Sequence, residues 1–117
     1  MSFHRTGRKF GRETGLRTAL MKSLVRSLII HDAITTTEAK AKTLRPIIEK
    51  LVTRAKGATL ADHRILASRI GDAKATKKLV DTIAPTFKTR VGGYTRIIKL
   101  PIRKKDSARM AQISFVK

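Results

Sequence analysis

Cysteine and tryptophan are absent from this chain. Without cysteine there is no disulfide, zinc ribbon, iron–sulfur cluster or thiol nucleophile to consider. Aromatic residues are scarce, four Phe and one Tyr: Phe3, Phe10, Phe87, Tyr94 and Phe115. The alternation around Phe115 assigns it to the core, which leaves too few rings for a platform that reads single strands by stacking. Long apolar runs are missing too. The longest aliphatic stretch is Leu28-Ile29-Ile30, far short of the ~18 residues that suggest a membrane span. No charged-then-apolar leader opens the chain, so the reading is a soluble, intracellular (cytoplasmic) protein. The last scarcity is negative charge, with 8 Asp plus Glu in the whole sequence.

What is abundant is positive charge. There are 27 Lys plus Arg, a formal net charge of +19 and a pI of about 11.6. Like charges at this density repel one another in a compact state unless a polyanion neutralises them, and nucleic acid is the commonest polyanion in a cell. An anionic membrane surface is a weaker rival, because the excess is not gathered on one amphipathic helix. Residues 1–59 carry 13 of the cations and residues 60–117 carry 14, so this is no neutral domain with a basic tail. Two stretches lack acids altogether. Residues 1–12 hold Arg5, Arg8, Lys9 and Arg12, and residues 86–105 hold Lys88, Arg90, Arg96, Lys99, Arg103, Lys104 and Lys105.

A length of 117 residues with 41% hydrophobic composition suits one domain with a core. Residues 1–12 show no helical or strand period and read as an irregular basic arm, followed by a single domain over 13–117. From Thr14, Leu16, Leu20, Leu24 and Leu28 recur every four residues, flanked by Val25 and Ile29, while Arg17, Lys22 and Arg26 face elsewhere, predicting a helix with a core face and a basic face. Ile34-Thr35-Thr36-Thr37 is a β-branched run suited to a strand. Thr37 and Glu38 then open a second helix with Leu44, Ile48, Leu51 and Ala55 on its apolar face, kinked at Pro46 and ending near Gly57. Thr59 caps a third helix and Asp72 a fourth, which stops before Pro85. Gly92-Gly93 lies in a loop, and Tyr94–Leu100 and Ala111–Phe115 read as strands joined by a long basic connection. Three strands cannot bury a face alone. The fold class is therefore α+β, a two-layer domain of four helices packed on a small three-stranded sheet, with an extended N-terminal arm.

Reactive constellations are missing. His4, His31 and His63 have no partner at metal-ligand spacing, no pair of carboxylates is spaced for acid–base work, and Asp32, Asp62 and Asp72 fall where helices begin or end. The stretch Gly7–Arg12 lacks the Gly-Lys-Ser/Thr ending of a phosphate loop. Gly92-Gly93-Tyr94 lacks the strand–glycine–helix context of a dinucleotide site. The expectation is a non-enzyme with no cofactor, no metal and no small-molecule substrate. Cations on helix, arm and loop suit gripping the phosphates of a folded RNA and recognising its shape. The candidate RNA-binding residues are thus Arg5, Arg8, Lys9, Arg12, Arg17, Lys22, Arg26, Lys88, Arg90, Arg96, Lys99, Arg103, Lys104 and Lys105. The rivals are a DNA-compacting nucleoid protein, an RNA-modifying enzyme, and a helix-turn-helix reader of duplex DNA, which the short, closely spaced third and fourth helices keep open.

Several motifs also occur together and in order. They are His4-Arg5-Thr6-Gly7-Arg8-Lys9-Phe10-Gly11-Arg12, Ser27–His31, Ile34–Thr37, Ala39–Pro46, Leu51–Lys56, Gly92-Gly93-Tyr94-Thr95-Arg96-Ile97-Ile98-Lys99-Leu100, and Met110-Ala111 before a final strand. This series resembles the bacterial large-subunit ribosomal protein seventeen family over essentially the whole chain. The resemblance implies a two-layer α/β domain with a basic N-terminal extension. It also implies large-subunit ribosomal RNA and neighbouring large-subunit ribosomal proteins as partners, near the exit of the peptide tunnel. The matching basic positions are Arg5, Arg8, Lys9, Arg12, Arg96 and Lys99. The chain departs from the family pattern at Ser2-Phe3, at Thr14-Gly15-Leu16 where serine, serine, histidine is common, at Arg109 in place of proline and at Ser114 in place of glutamate.

Overall fold

The computed structural model describes residues 14–57 and 59–116. The expected arm over residues 1–12, with Arg5, Arg8, Lys9 and Arg12, lies outside the described residues. The first helix, α1, is Thr14–His31, and Asp32 follows it in the left-handed region at φ 64°, its amide donating to the Leu28 carbonyl at 2.8 Å. Strand β1, Ala33–Thr37, leads directly into α2, Glu38–Gly57. The Thr37 hydroxyl accepts from the Lys40 amide at 3.4 Å, and Glu38 pairs with Lys42 one turn on at 3.0 Å, both of which favour starting the helix there. Pro46 sits inside this helix, which runs on as one element.

Helix α3, Leu60–Ile70, opens with a capping box. Thr59 accepts from the Asp62 amide while the Asp62 carboxylate accepts from the Thr59 amide, each at 3.2 Å. It closes on Gly71 at φ 73°, a conformation that a Cβ would strain. Asp72 then caps α4 through the Lys74 amide at 2.9 Å. This helix spans residues 73–86: an α segment Ala73–Lys78, a π-helical turn Leu79–Ile83, and a last α turn Ala84–Thr86. The sequence reading stops it before Pro85; the helix instead passes through. The widened turn lets the Ala84 amide reach back to the Leu79 carbonyl. Pro85 then occupies a first-turn position, where its missing N–H costs least.

Strands β2 (Thr95–Leu100) and β3 (Met110–Phe115) complete an antiparallel sheet of order β1-β3-β2. β3 is central, with Ile113 opposite Ile34 on one side and Ile97 on the other. The helices cover the sheet face that carries Ala111 and Ile113, both fully buried. Val25, Leu28, Ile29, Leu44, Ile48, Val52, Leu66, Ile70 and Leu79 fill the space between, each large aliphatic side chain contributing about 1.5–3 kcal/mol by leaving water. The architecture is the expected α+β fold, four helices on three strands. One detail differs. Of the four-spaced leucines of α1, Leu28 is fully buried with the flanking Val25 and Ile29, as expected, but Leu16 is 60% exposed.

Candidate nucleic-acid interface

The positioning of the basic residues begins with what the acids do. Glu38 lies between Lys42 at 3.0 Å and Lys99 at 3.8 Å, and the hydrogen bond from Lys42 holds its carboxyl below the usual range. Asp62 is bound by the Thr59 amide and hydroxyl and by Arg54 at 3.2 Å, which lowers its pKa likewise. Asp32 pairs with Lys78 at 3.2 Å. Glu49 accepts from the Tyr94 amide at 2.9 Å and the Thr95 hydroxyl at 3.3 Å, with Arg45 3.8 Å away. Asp106 takes a two-pronged grip from Arg103, at 2.9 and 2.7 Å, and its carboxyl falls to about 2. These carboxylates cap helices, tie elements together or close a turn, and so leave many cations without a counter-charge.

The candidate residues fall into three groups. Arg17, Lys22 and Arg26 are partly exposed along α1, Arg17 donating to the Thr14 hydroxyl at 3.1 Å. Lys88 and Arg90 are exposed on the loop after α4, and the Arg90 carbonyl accepts from Lys56. Arg96, Lys99, Arg103, Lys104 and Lys105 are exposed on β2 and on the connection that follows it. Two of this last group are less free than the acid-free stretch suggests. Lys99 is near Glu38, and Arg103 is engaged by Asp106, which lies one residue beyond that stretch. The connection is also a folded turn. The Arg103 amide donates to the Ala108 carbonyl, the Ser107 amide to the Arg103 carbonyl, and Ser107 adopts a left-handed φ of 58°.

Tyr94 anchors the glycine–tyrosine motif. It is 1% exposed, and its hydroxyl meets Thr53 at 3.2 Å, Lys56 at 3.0 Å and the Val91 carbonyl at 3.2 Å. Its ring packs 5.2 Å from that of Phe87. Hydrogen bonds from Thr53 and then Lys56 favour the phenolate and lower the Tyr94 pKa. The preceding Gly93 turns the chain at φ 64°, which suits glycine. Phe87, Tyr94 and Phe115 all belong to the core or pack against it. Among the described residues no Phe or Tyr ring is presented for base stacking, so the cations are left to act chiefly on phosphates.

Lys50 on α2 and Arg69 on α3, which the sequence reading passes over, are also exposed and line surface hollows between the helices. They escape notice because they lie on different helices among other cations and acids, outside the acid-free stretches, and only packing brings them to one feature. Among the described residues no group of three or more His, Asp or Glu could hold a metal ion, and no helix is long and apolar enough to cross a membrane.

Comparison with known proteins decides the family. The family model for ribosomal protein L17 matches residues 20–116. This chain belongs to the ribosomal protein L17 family. The large ribosomal subunit protein bL17 of Thermomicrobium roseum is 47% identical over 116 residues, 99% of each chain. The bL17 protein of Sphingopyxis alaskensis is 54% identical over 88 residues, 75% of this chain and 63% of that relative. That of Geobacter metallireducens is 54% identical over 86 residues, 74% of this chain and 48% of the relative. The chain therefore spans nearly the full length of one L17 relative and about half to two thirds of others. The L17 match covers all four helices and all three strands except the first turns of α1.

Proposed function

We propose that this chain is a non-enzymatic structural constituent of the large ribosomal subunit, working on the cytoplasmic ribosome in support of translation. It binds large-subunit ribosomal RNA through phosphate and shape contacts, near the peptide exit tunnel and beside neighbouring large-subunit proteins. Family membership supports the assignment to the ribosome. The observation that carries the RNA-binding reading is the division of labour among charges. Most acidic groups among the described residues are engaged in internal pairs and caps, while partly exposed cations of α1 and exposed ones on the loop after α4 and on β2 with its following turn are left for an external polyanion. Such a surface relieves phosphate repulsion where RNA segments approach one another.

The test is a gradient and a titration. Co-migration with large subunits at moderate salt supports the reading, and co-migration with DNA supports a nucleoid role instead. Affinity for large-subunit RNA is expected to fall with a logarithmic slope of roughly −0.7 to −0.9 per phosphate neutralised. An affinity indifferent to salt overturns the mechanism.

A further inference from the structure

Two hollows on the helical side of the molecule share a boundary. The first, about 490 Å3, has a floor of Met21, Val25, Ile47 and Leu51 and is rimmed by Arg17, Lys22, Lys50 and Arg69. The second, about 540 Å3, runs from Lys50 and Arg69 past Arg54 to the Gly92–Gly93 turn, with Tyr94 in its wall. Lys50 and Arg69 line both, so the two hollows form one groove with a cationic waist contributed by α2 and α3. Among the described residues neither has an acidic partner within ion-pair distance. The carboxylates of the second hollow, Glu49 and Asp62, are already engaged by Tyr94, Thr95, Thr59 and Arg54.

We infer that this groove seats a sugar–phosphate backbone of RNA, with Lys50 and Arg69 each binding a phosphate at its waist. The inference rests on the RNA-binding reading above and locates it on residues outside the acid-free stretches. Arg supplies a forked donor and Lys a movable point charge, and both lay their aliphatic stems over the apolar floor, which suits the less polar faces of ribose. The buried Tyr94 offers no face for a base, so recognition is of backbone and shape. An acidic amphipathic segment of a protein would need aliphatic side chains to pack on along its whole length, whereas the second hollow is walled by charged and polar residues, glycines and Tyr94, with no aliphatic side chain. The segment 1–12 carries cations and no acid, the same sign as the groove, which disfavours it as the occupant.

The full-length chain is titrated with large-subunit ribosomal RNA over a salt series, comparing Lys50→Ala/Arg69→Ala with Lys74→Ala/Lys77→Ala, two exposed lysines of α4 away from the groove. The groove pair is expected to lose about tenfold or more in affinity and to shallow the salt slope by about 1.5. The α4 pair should change affinity by less than about threefold, and both variants should keep the wild-type thermal midpoint. Lys50→Arg/Arg69→Lys, which keeps the charges, should bind within about threefold of wild type. Equal losses in the two alanine pairs would reduce the effect to general charge and overturn the inference. Wild-type affinity in the groove pair would do the same and leave an acidic polypeptide as the occupant. Failure of the wild-type chain to bind RNA would instead overturn the proposed function itself.

Discussion

A basic residue in an acid-free stretch of sequence is not thereby a free cation. Arg103 illustrates this at the residue scale, since its guanidinium grips Asp106 at 2.9 and 2.7 Å, and the pair closes the turn between β2 and β3. The pairing has a consequence in acid. The Asp106 carboxyl is lowered from 3.8 to about 2, chiefly by Arg103, so the folded state favours its charged form more than the unfolded chain does. A depressed carboxyl stabilises the fold fully above its unfolded pKa and loses that contribution as pH falls through its folded value. Glu38 and Asp62 act in the same direction. The thermal midpoint is therefore expected to stay level from neutral pH to about 5 and to fall between about 4 and 2. Because Arg103 and Asp106 are exposed, the Asp106 share is small. Asp106→Asn should show a slightly lower midpoint at pH 5 and a shallower fall below it. A midpoint that climbs on acidification would contradict the pairing.

At the scale of elements, α1 shows how a regular pattern can mislead. Four residues advance a helix by about 400°, so each step of four drifts about 40° around the axis. Across Leu16, Leu20, Leu24 and Leu28 the drift reaches about 120°, and the stripe winds away from the core. Leu28 stays buried among Val25 and Ile29 while Leu16 emerges. Leu28→Ala is expected to cost about 2–5 kcal/mol and Leu16→Ala within about 0.5 kcal/mol, measured as denaturant midpoints at constant slope. Comparable losses at the two positions would mean that Leu16 is covered in solution. Elsewhere local chemistry was informative. Thr59 and Asp72 cap where their side-chain oxygens suit capping, Gly71 ends α3 where only glycine turns left without strain, and the β-branched and alternating runs become β1, β2 and β3. Sheet order was not legible, since no local signal says that β3 runs between β1 and β2. Nor was the Lys50–Arg69 waist, which exists only once α2 and α3 are packed.

At the scale of the whole molecule, a net charge of +19 over 117 residues works against compactness, and the fold answers by placing Asp32, Glu38, Glu49, Asp62, Asp72 and Asp106 where each also caps a helix, bridges elements or closes a turn. The cations left over are divided between the folded surface and the opening segment, and salt dependence can apportion them. Residues 1–12 hold Arg5, Arg8, Lys9 and Arg12 with no acid. If all four meet phosphates, deleting them should shallow the logarithmic salt slope of RNA binding by roughly three. The same deletion should leave the thermal midpoint of the remaining chain near that of the full length. An unchanged slope would assign the binding to the folded surface alone, whereas a collapsed midpoint would make the opening segment part of the core. The comparison is best made across a range of ionic strengths, because at a single salt concentration a lost phosphate contact and a lost increment of long-range attraction lower the affinity alike, and only the slope separates them.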